Sequence, residues 1–279
     1  MYGQSAADAT TLMALQTVGF PLLAALLGIG VAVLLQRKDR ALSAFVGLSL
    51  LLAVGFWGAA GWMRGRWGIP PQQAMDVLAI SPWLLLASEW VTLRYGWRRV
   101  ISVSAVAGLV GWLLWPILAR GGWLTGCVLV GVILLLAFLA YTLANSDDEG
   151  DFWVIWPASA ALVAPLIALD GSLLLAQLGG VVATLLGASW LASRLLSNLP
   201  LPVLLPAGVV TLLYSAAHSY ANTDLRALLL PLGAMLVTGL LLRLSGLANR
   251  WAAVILLLLA GGAAAGAGAW LVWPQEPMY

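Results

Sequence analysis

The chain has 279 residues, of which 62% are hydrophobic and only 9% are charged, and its formal net charge at pH 7 is +2. Such a composition excludes a soluble globular domain, because the apolar surface would aggregate in water. The small net charge without a basic tract argues against a nucleic-acid partner. The single cysteine, Cys127, excludes an intrachain disulfide and a CxxC site.

Ten apolar runs, separated by short polar breaks, occupy nearly the whole chain. Most have the length that a helix needs to cross about 30 Å of hydrocarbon at about 1.5 Å per residue. The sequence therefore predicts an all-α, polytopic transmembrane helix bundle of about ten spans that forms one domain, residues 1–279. In chain order the predicted spans are 12–35, 41–63, 77–93, 100–118, 123–143, 152–169, 172–196, 201–217, 227–242 and 251–273.

Positive residues are unevenly divided between the two sets of loops that ten spans create. Nine Lys and Arg residues fall in one set and four in the other, which together make the thirteen in the chain. Because cytoplasmic loops carry the excess of Lys and Arg, the bias predicts that both termini lie outside and that segments 36–40 and 94–99 lie inside. We expect the chain to be integral to a bacterial-type cytoplasmic (inner) membrane.

The acidic segment NSDDEGD, residues 145–151, divides the ten runs into five and five. Its four carboxylates are expected to be solvated. Because five is an odd number, two five-span halves would cross the membrane in opposite orientations. Inverted repeats of this kind occur in many secondary transporters. An even split by chance is the alternative. In the second half, Pro200, Pro202 and Pro206 open the eighth run, so its first turns are candidates for extended or re-entrant chain.

Small residues mark where helices are expected to approach each other closely. Gly262 and Gly266 have GxxxG spacing in the tenth run, Gly180 lies on a small face of the seventh, and Gly28 lies in the first. Since lipid is as apolar as leucine, packing between small residues is a main source of helix association in membranes. We expect these glycines to face other helices of the same chain.

Glu89 is the clearest ionisable residue within a predicted span, in PWLLLASEWVTL. Such residues are costly in the bilayer, so Glu89 is a candidate ligand or proton site. The alternative is an interfacial carboxylate that pairs with Arg94 or Arg98 at the inner surface.

The remaining candidates lie at the predicted outer ends of spans. His218 is the only histidine and the natural general base, with Asp170 and Asp224 as further candidate catalytic residues. We expect the loop 218–226 to pack against Asp170 or against the loop 64–73, which holds Arg64 and precedes Asp76. Ordinary solvated loop residues are the alternative. One His and no suitable Cys leave only carboxylates as further ligands, so no metal site is predicted, and no motif indicates a cofactor.

Three function classes remain open. A permease-like transporter is favoured by the number of spans, the kinked spans and the absence of a soluble domain, whereas the nearly apolar spans favour a scaffold. Because midplane polar groups are few, a transported cargo would be a small apolar or amphipathic solute or lipid. A non-catalytic membrane subunit or scaffold of an envelope complex is the alternative, and it would have a membrane-protein partner besides the lipid bilayer. A membrane enzyme that acts on a lipid-linked substrate at the outer face depends on His218, Asp170 and Asp224.

Overall fold

The fold is described from a computed structural model of the chain. It describes residues 6–36, 41–67, 69, 71–95, 98–118, 131–132, 134–135, 138–139, 141–142, 151–196, 201–245 and 250–273. Within these residues 91% of the chain is helical and there is no strand, so the predicted all-α class is confirmed.

The helices follow the apolar runs of the sequence closely. They are α1 (Ala6–Ala14), α2 (Phe20–Gln36), α3 (Ala41–Arg64), α4 (Ala74–Tyr95), α5 (Arg98–Leu118), α6 (Ile155–Leu169), α7 (Leu173–Leu195), α8 (Leu204–Ala221), α9 (Leu225–Ser245) and α10 (Arg250–Val272). A π-helical turn, Leu15–Gly19, joins α1 to α2 without interrupting the span. A 3₁₀ turn, Phe152–Val154, leads into α6.

Seven helical segments are long and apolar enough to cross a membrane: Ala9–Gln36, Phe45–Arg64, Ala74–Val91, Phe152–Leu169, Leu173–Leu195, Leu225–Ser245 and Trp251–Val272. The chain is thus compatible with an integral membrane protein. The apolar part of α5, Val103–Ile117, is shorter. Most of the fifth predicted run, 123–143, lies outside the described residues, as do residues 145–150 of the acidic segment. The number of ten spans, the sides of the termini and the five-plus-five division therefore stay predictions.

Helix α8 lies at the centre of the bundle. Every residue from Leu204 to Ala217 is buried, and the helix packs against α4, α5, α6 and α7. Its hydroxyl groups are satisfied by backbone carbonyls, as buried polar groups must be. Thr211 Oγ1 donates to Ala207 O at 2.6 Å, and Ser215 Oγ donates to Thr211 O at 2.9 Å.

Three helices are followed by left-handed residues, and the first of these is Gly65, with φ of +63°, after α3. Gly171, with φ of +97°, follows α6. Asn222, with φ of +58°, follows α8, and the N–H of Thr223 donates to Ala217 O at 3.2 Å. Glycine and asparagine are the residues that tolerate this conformation at a helix C-terminus. The turn at Gly171 joins α6 to α7, which pack extensively against each other, whereas α8 and α9 contact each other only slightly beyond their turn.

In the ranges that the structure describes, helix α10 approaches α6 and α9 closely at Gly261 and Gly268, and not at the predicted pair Gly262 and Gly266. Among the described residues, none places an atom within 4 Å of a Cβ built at Gly262 or Gly266. A Cβ at Gly261 would instead lie 2.9 Å from Leu162 Cδ1, and one at Gly268 would lie 3.1 Å from Ala227 O. The described part of the chain thus gives no support for packing at Gly262 and Gly266. The face that meets α6 and α9 is offset around the helix from the GxxxG stripe.

The other two glycines lie against neighbouring helices. A Cβ built at Gly28 of α2 would lie 3.1 Å from Leu51 Cβ of α3. A Cβ at Gly180 of α7 would lie 2.5 Å from Thr17 Cγ2 in the π-helical turn. Thr184 Oγ1 lies within reach of the same turn, 3.5 Å from Thr17 O. Glycine at these positions lets the first span contact α3 and α7 closely.

Candidate functional site

Glu89 of α4 lies against the beginning of α8. The residue is only 7% exposed. Its Oε1 accepts hydrogen bonds from the backbone N–H groups of Val203, at 3.0 Å, and Leu204, at 3.3 Å. The first N–H groups of a helix have no partner within the helix, and the positive end of the helix dipole favours a carboxylate. Glu89 therefore caps α8 from a different helix.

The chain before α8 is not helical. Residues 201–203 have no regular secondary structure and Val203 forms a bend, so the eighth run begins with an irregular segment of three residues and is helical from Leu204. Pro202 O in this segment accepts a hydrogen bond from Trp153 Nε1 at 2.8 Å. The result is a helix start that is held between Glu89 on one side and a buried tryptophan on the other.

The predicted partners of Glu89 were Arg94 or Arg98. The side chains of residues 92–100 lie outside the described part, so that pairing is untested. The backbone donors of α8 were missed at the sequence level, because peptide N–H groups 114 residues away leave no side-chain signal. The prolines that open the eighth run were the one available sign that a helix begins there.

A narrow apolar cavity lies among α3, α4, α7 and α8, with room for about one water molecule. Pro82 lines it from α4, on the same face as Glu89 and about 10 Å along the helix axis at about 1.5 Å per residue. Leu205, which follows the two residues that donate to Glu89, lines it from α8. The other lining residues are Leu52, Phe56, Val182, Leu185, Leu186 and Val209.

At the other end of α4, Asp76 is fully buried and surrounded by donors. Its carboxylate pairs with Arg64 and Arg66 and accepts the backbone N–H groups of Gln72, at 2.8 Å, and Gln73, at 2.9 Å. Arg64 also donates to Met75 O at 3.2 Å. Both cationic partners of Asp76 thus come from the end of α3 and the loop that follows it. With four donors around it, this carboxylate ties the connection from α3 to α4 to the start of α4.

The outer candidates are not brought together by the described contacts. His218 bonds within its own turn, with Nδ1 2.9 Å from Thr223 O. Asp224 is exposed, and its Oδ1 accepts the backbone N–H of Arg226 at 2.8 Å, at the start of α9. Among the described residues no ion pair joins His218 to Asp76, Asp170 or Asp224, and Asp170 Oδ2 has no hydrogen-bond partner there. The hypothesis of an outer acid–base site gains no support.

Asp151, at the end of the acidic segment, departs from the expectation that its carboxylates are solvated. Asp151 is only 9% exposed and forms an ion pair with Arg194 at the end of α7. An arginine 43 residues away compensates the cost of burying this carboxylate. Neither Asp151 nor Arg194 was singled out as a site residue, since nothing in the sequence links the two.

No group of three or more His, Cys, Asp or Glu side chains that could hold a metal ion occurs within the described ranges. No protein-family model matches the chain, and neither a curated protein nor a solved structure is similar enough to match it. The interpretation of the site therefore depends on its own geometry.

Proposed function

We propose that this chain is a permease-like membrane protein for a small apolar or amphipathic solute or lipid. The observation that carries the proposal is the junction of Glu89 with the irregular start of α8. Secondary transporters build their sites where a helix is interrupted and its N-terminus points at an anionic group. Here the anionic group belongs to the protein, and it holds the start of the central helix.

The surroundings of the junction support an apolar cargo. The cavity above Glu89 is lined by aliphatic and aromatic side chains and a proline, from four helices. The four helices around the cavity each contribute only one to three side chains to its wall. A small movement of these helices away from one another would therefore enlarge the cavity. Such a void offers no hydrogen bonds to a sugar or an ion, whereas an alkyl chain or an aromatic ring matches it.

Flux measurements on reconstituted protein test this proposal. Proteoliposomes would be loaded with a lipophilic fluorescent dye, or prepared with a fluorescent phospholipid analogue in one leaflet. We expect faster transfer than in protein-free liposomes for at least one of the two probes. Filling the cavity with the Val209→Phe substitution should slow the transfer, while the protein remains monodisperse.

The scaffold alternative predicts a different result. A subunit of an envelope complex needs no opening of the bundle, and the narrowness of the cavity is compatible with a permanently packed interior. Transfer of both probes at the protein-free rate, by well-folded protein, would favour the scaffold over the permease.

A further inference from the structure

A second, more polar cleft lies where the end of α7 meets the beginnings of α6 and α10. Its lining residues are Asp151, Trp190, Arg194, Trp251 and Val254. The cleft has a volume of about 140 Å³ and is open to the surroundings on one side. Because consecutive helices run antiparallel, these three helix ends lie at one face of the membrane. The cleft is distinct from the cavity beside Glu89.

Arg194 is the centre of this cleft. It forms an ion pair with Asp151, and the side chains of Arg194 and Asp151 are only 14% and 12% exposed. One turn earlier on α7, the Trp190 ring lies under the guanidinium, 5.8 Å from its carbon to the ring centroid. The ion pair uses one terminal nitrogen, whereas a guanidinium carries five N–H donors. Arg194 is therefore able to bind a second acceptor without releasing Asp151.

Trp190 adds an unused donor. Its indole N–H is buried and has no hydrogen-bond acceptor among the described residues. Buried donors are almost always paired, so one without an acceptor calls for an explanation. Trp190 lines the cleft beside Arg194, so a rotation of its ring would turn this N–H toward an oxyanion held by Arg194. Phosphate oxygens are acceptors of this kind, and arginine is the side chain that matches them best.

The opposite wall of the cleft is apolar and faces the membrane. Trp251, in the first turn of α10, is 60% exposed, and Val254 lies one turn further into the span. Ile255 and Leu258 continue an exposed apolar surface along α10. Tryptophan at the end of a span is typical of the headgroup level of a bilayer. The cleft thus has a charged end and an apolar end at the depth where lipid headgroups lie.

From these contacts we infer that the cleft binds the headgroup of a zwitterionic phospholipid with a primary ammonium group. The phosphate would accept hydrogen bonds from Arg194 and from the Trp190 indole. The ammonium would lie against the Asp151 carboxylate, and the glycerol and first methylenes would lie along Trp251 and Val254. This inference does not depend on the permease proposal.

Charge is the reason for preferring a zwitterionic headgroup to an anionic one. Arg194 and Asp151 together are neutral, so the cleft offers one positive and one negative partner. A headgroup with a net negative charge would have only Arg194 as a cationic partner and would meet the Asp151 carboxylate as a like charge.

Native mass spectrometry of the purified full chain in detergent tests the inference. The protein would be titrated separately with phosphatidylethanolamine, phosphatidylglycerol and inorganic phosphate, and retained adducts counted. We expect the wild type to retain phosphatidylethanolamine in preference to phosphatidylglycerol. The Trp190→Phe substitution keeps an aromatic face for Arg194 but removes the N–H, and it should weaken retention about tenfold. Arg194→Gln should weaken it further, and Arg194→Lys should restore part of it.

Arg243→Gln is the matched control, since Arg243 is exposed in the last turn of α9 at the same membrane face and does not line the cleft. Its lipid retention should equal that of the wild type. The inference is overturned if Trp190→Phe, folded as judged by its thermal transition, retains as much lipid as the wild type. Equal retention of phosphatidylglycerol, or displacement of the lipid by inorganic phosphate, would overturn it as well.

Discussion

Glu89 Oε1 lies 3.0 Å from the backbone nitrogen of Val203, although 114 residues separate the two in the chain. This hydrogen bond ties α4 to the first turn of the central helix α8. It places a carboxylate inside a candidate span, at a helix end that would otherwise have unpaired N–H groups. The role of Glu89 as a cap can be separated experimentally from any role in transport.

Replacing Glu89 by Gln or Leu should have unequal effects. The amide oxygen of Gln is still able to accept from Val203 and Leu204, so Glu89→Gln should cost about 1 kcal/mol, mainly from the lost interaction with the helix dipole. Glu89→Leu leaves two buried donors unpaired, at about 1–3 kcal/mol each. Thermal unfolding in detergent, followed by size-exclusion chromatography, would compare them. Equal transition temperatures for the two variants would show that Oε1 does not cap α8.

The Asp76 cluster should be a larger source of stability than an ordinary surface ion pair. Asp76→Asn removes the charge that faces both arginines and leaves the Arg64 side chain, only 6% exposed, without its counter-ion. Breaking a buried pair in this way costs about 3–5 kcal/mol. Arg66 is 33% exposed, so Arg66→Gln should cost at most about 1 kcal/mol. Unfolding in denaturant-containing detergent would measure both, and similar losses for the two variants would contradict the assignment of Arg64 as the main partner.

Substitution by leucine should impair folding at Gly268 of α10 but not at Gly266. Gly268→Leu would drive a Cβ to 3.1 Å from Ala227 O, a backbone atom of α9, with an overpacking cost of about 1–3 kcal/mol. Gly266→Leu meets no atom of the described residues within 4 Å of the Cβ, so it should be tolerated. The yield of monodisperse protein would report the difference. A Gly266→Leu protein that misfolds more severely than Gly268→Leu would restore the GxxxG stripe as the packing face.

The positions of the helices could be predicted from the sequence far better than the contacts between their side chains. The run 152–169 coincides with Phe152–Leu169, because apolar length fixes where a chain crosses hydrocarbon. The contact face of α10 could not be read in the same way, since small residues occupy several of its faces and only packing selects Gly261 and Gly268. The burial of Asp151 was missed for a related reason. Its compensating charge, Arg194, belongs to another helix, and no periodicity connects the two.

The positive bias of the loops predicts the orientation of the chain in the membrane, with both termini outside. Single cysteines would be introduced by Lys38→Cys and Gln72→Cys in a Cys127→Ala background. In intact cells, a membrane-impermeant maleimide added outside should label the Gln72→Cys protein, and it should label the Lys38→Cys protein only after permeabilisation. The reverse pattern would invert the proposed orientation.

In the proposed permease, the bundle opens at the apolar cavity beside the junction of Glu89 and α8. Val209→Cys and Leu212→Cys, in the Cys127→Ala background, form a matched pair on α8. Val209 lines the cavity, whereas Leu212 does not line it, and they are 3% and 0% exposed. The most direct measurement is the rate at which each thiol reacts with a small water-soluble alkylating reagent in proteoliposomes. An opening permease predicts that Val209→Cys reacts at least about tenfold faster than Leu212→Cys, because water enters the cavity in the open state. Equal, negligible rates for both thiols in folded protein would contradict the account and leave a permanently packed scaffold.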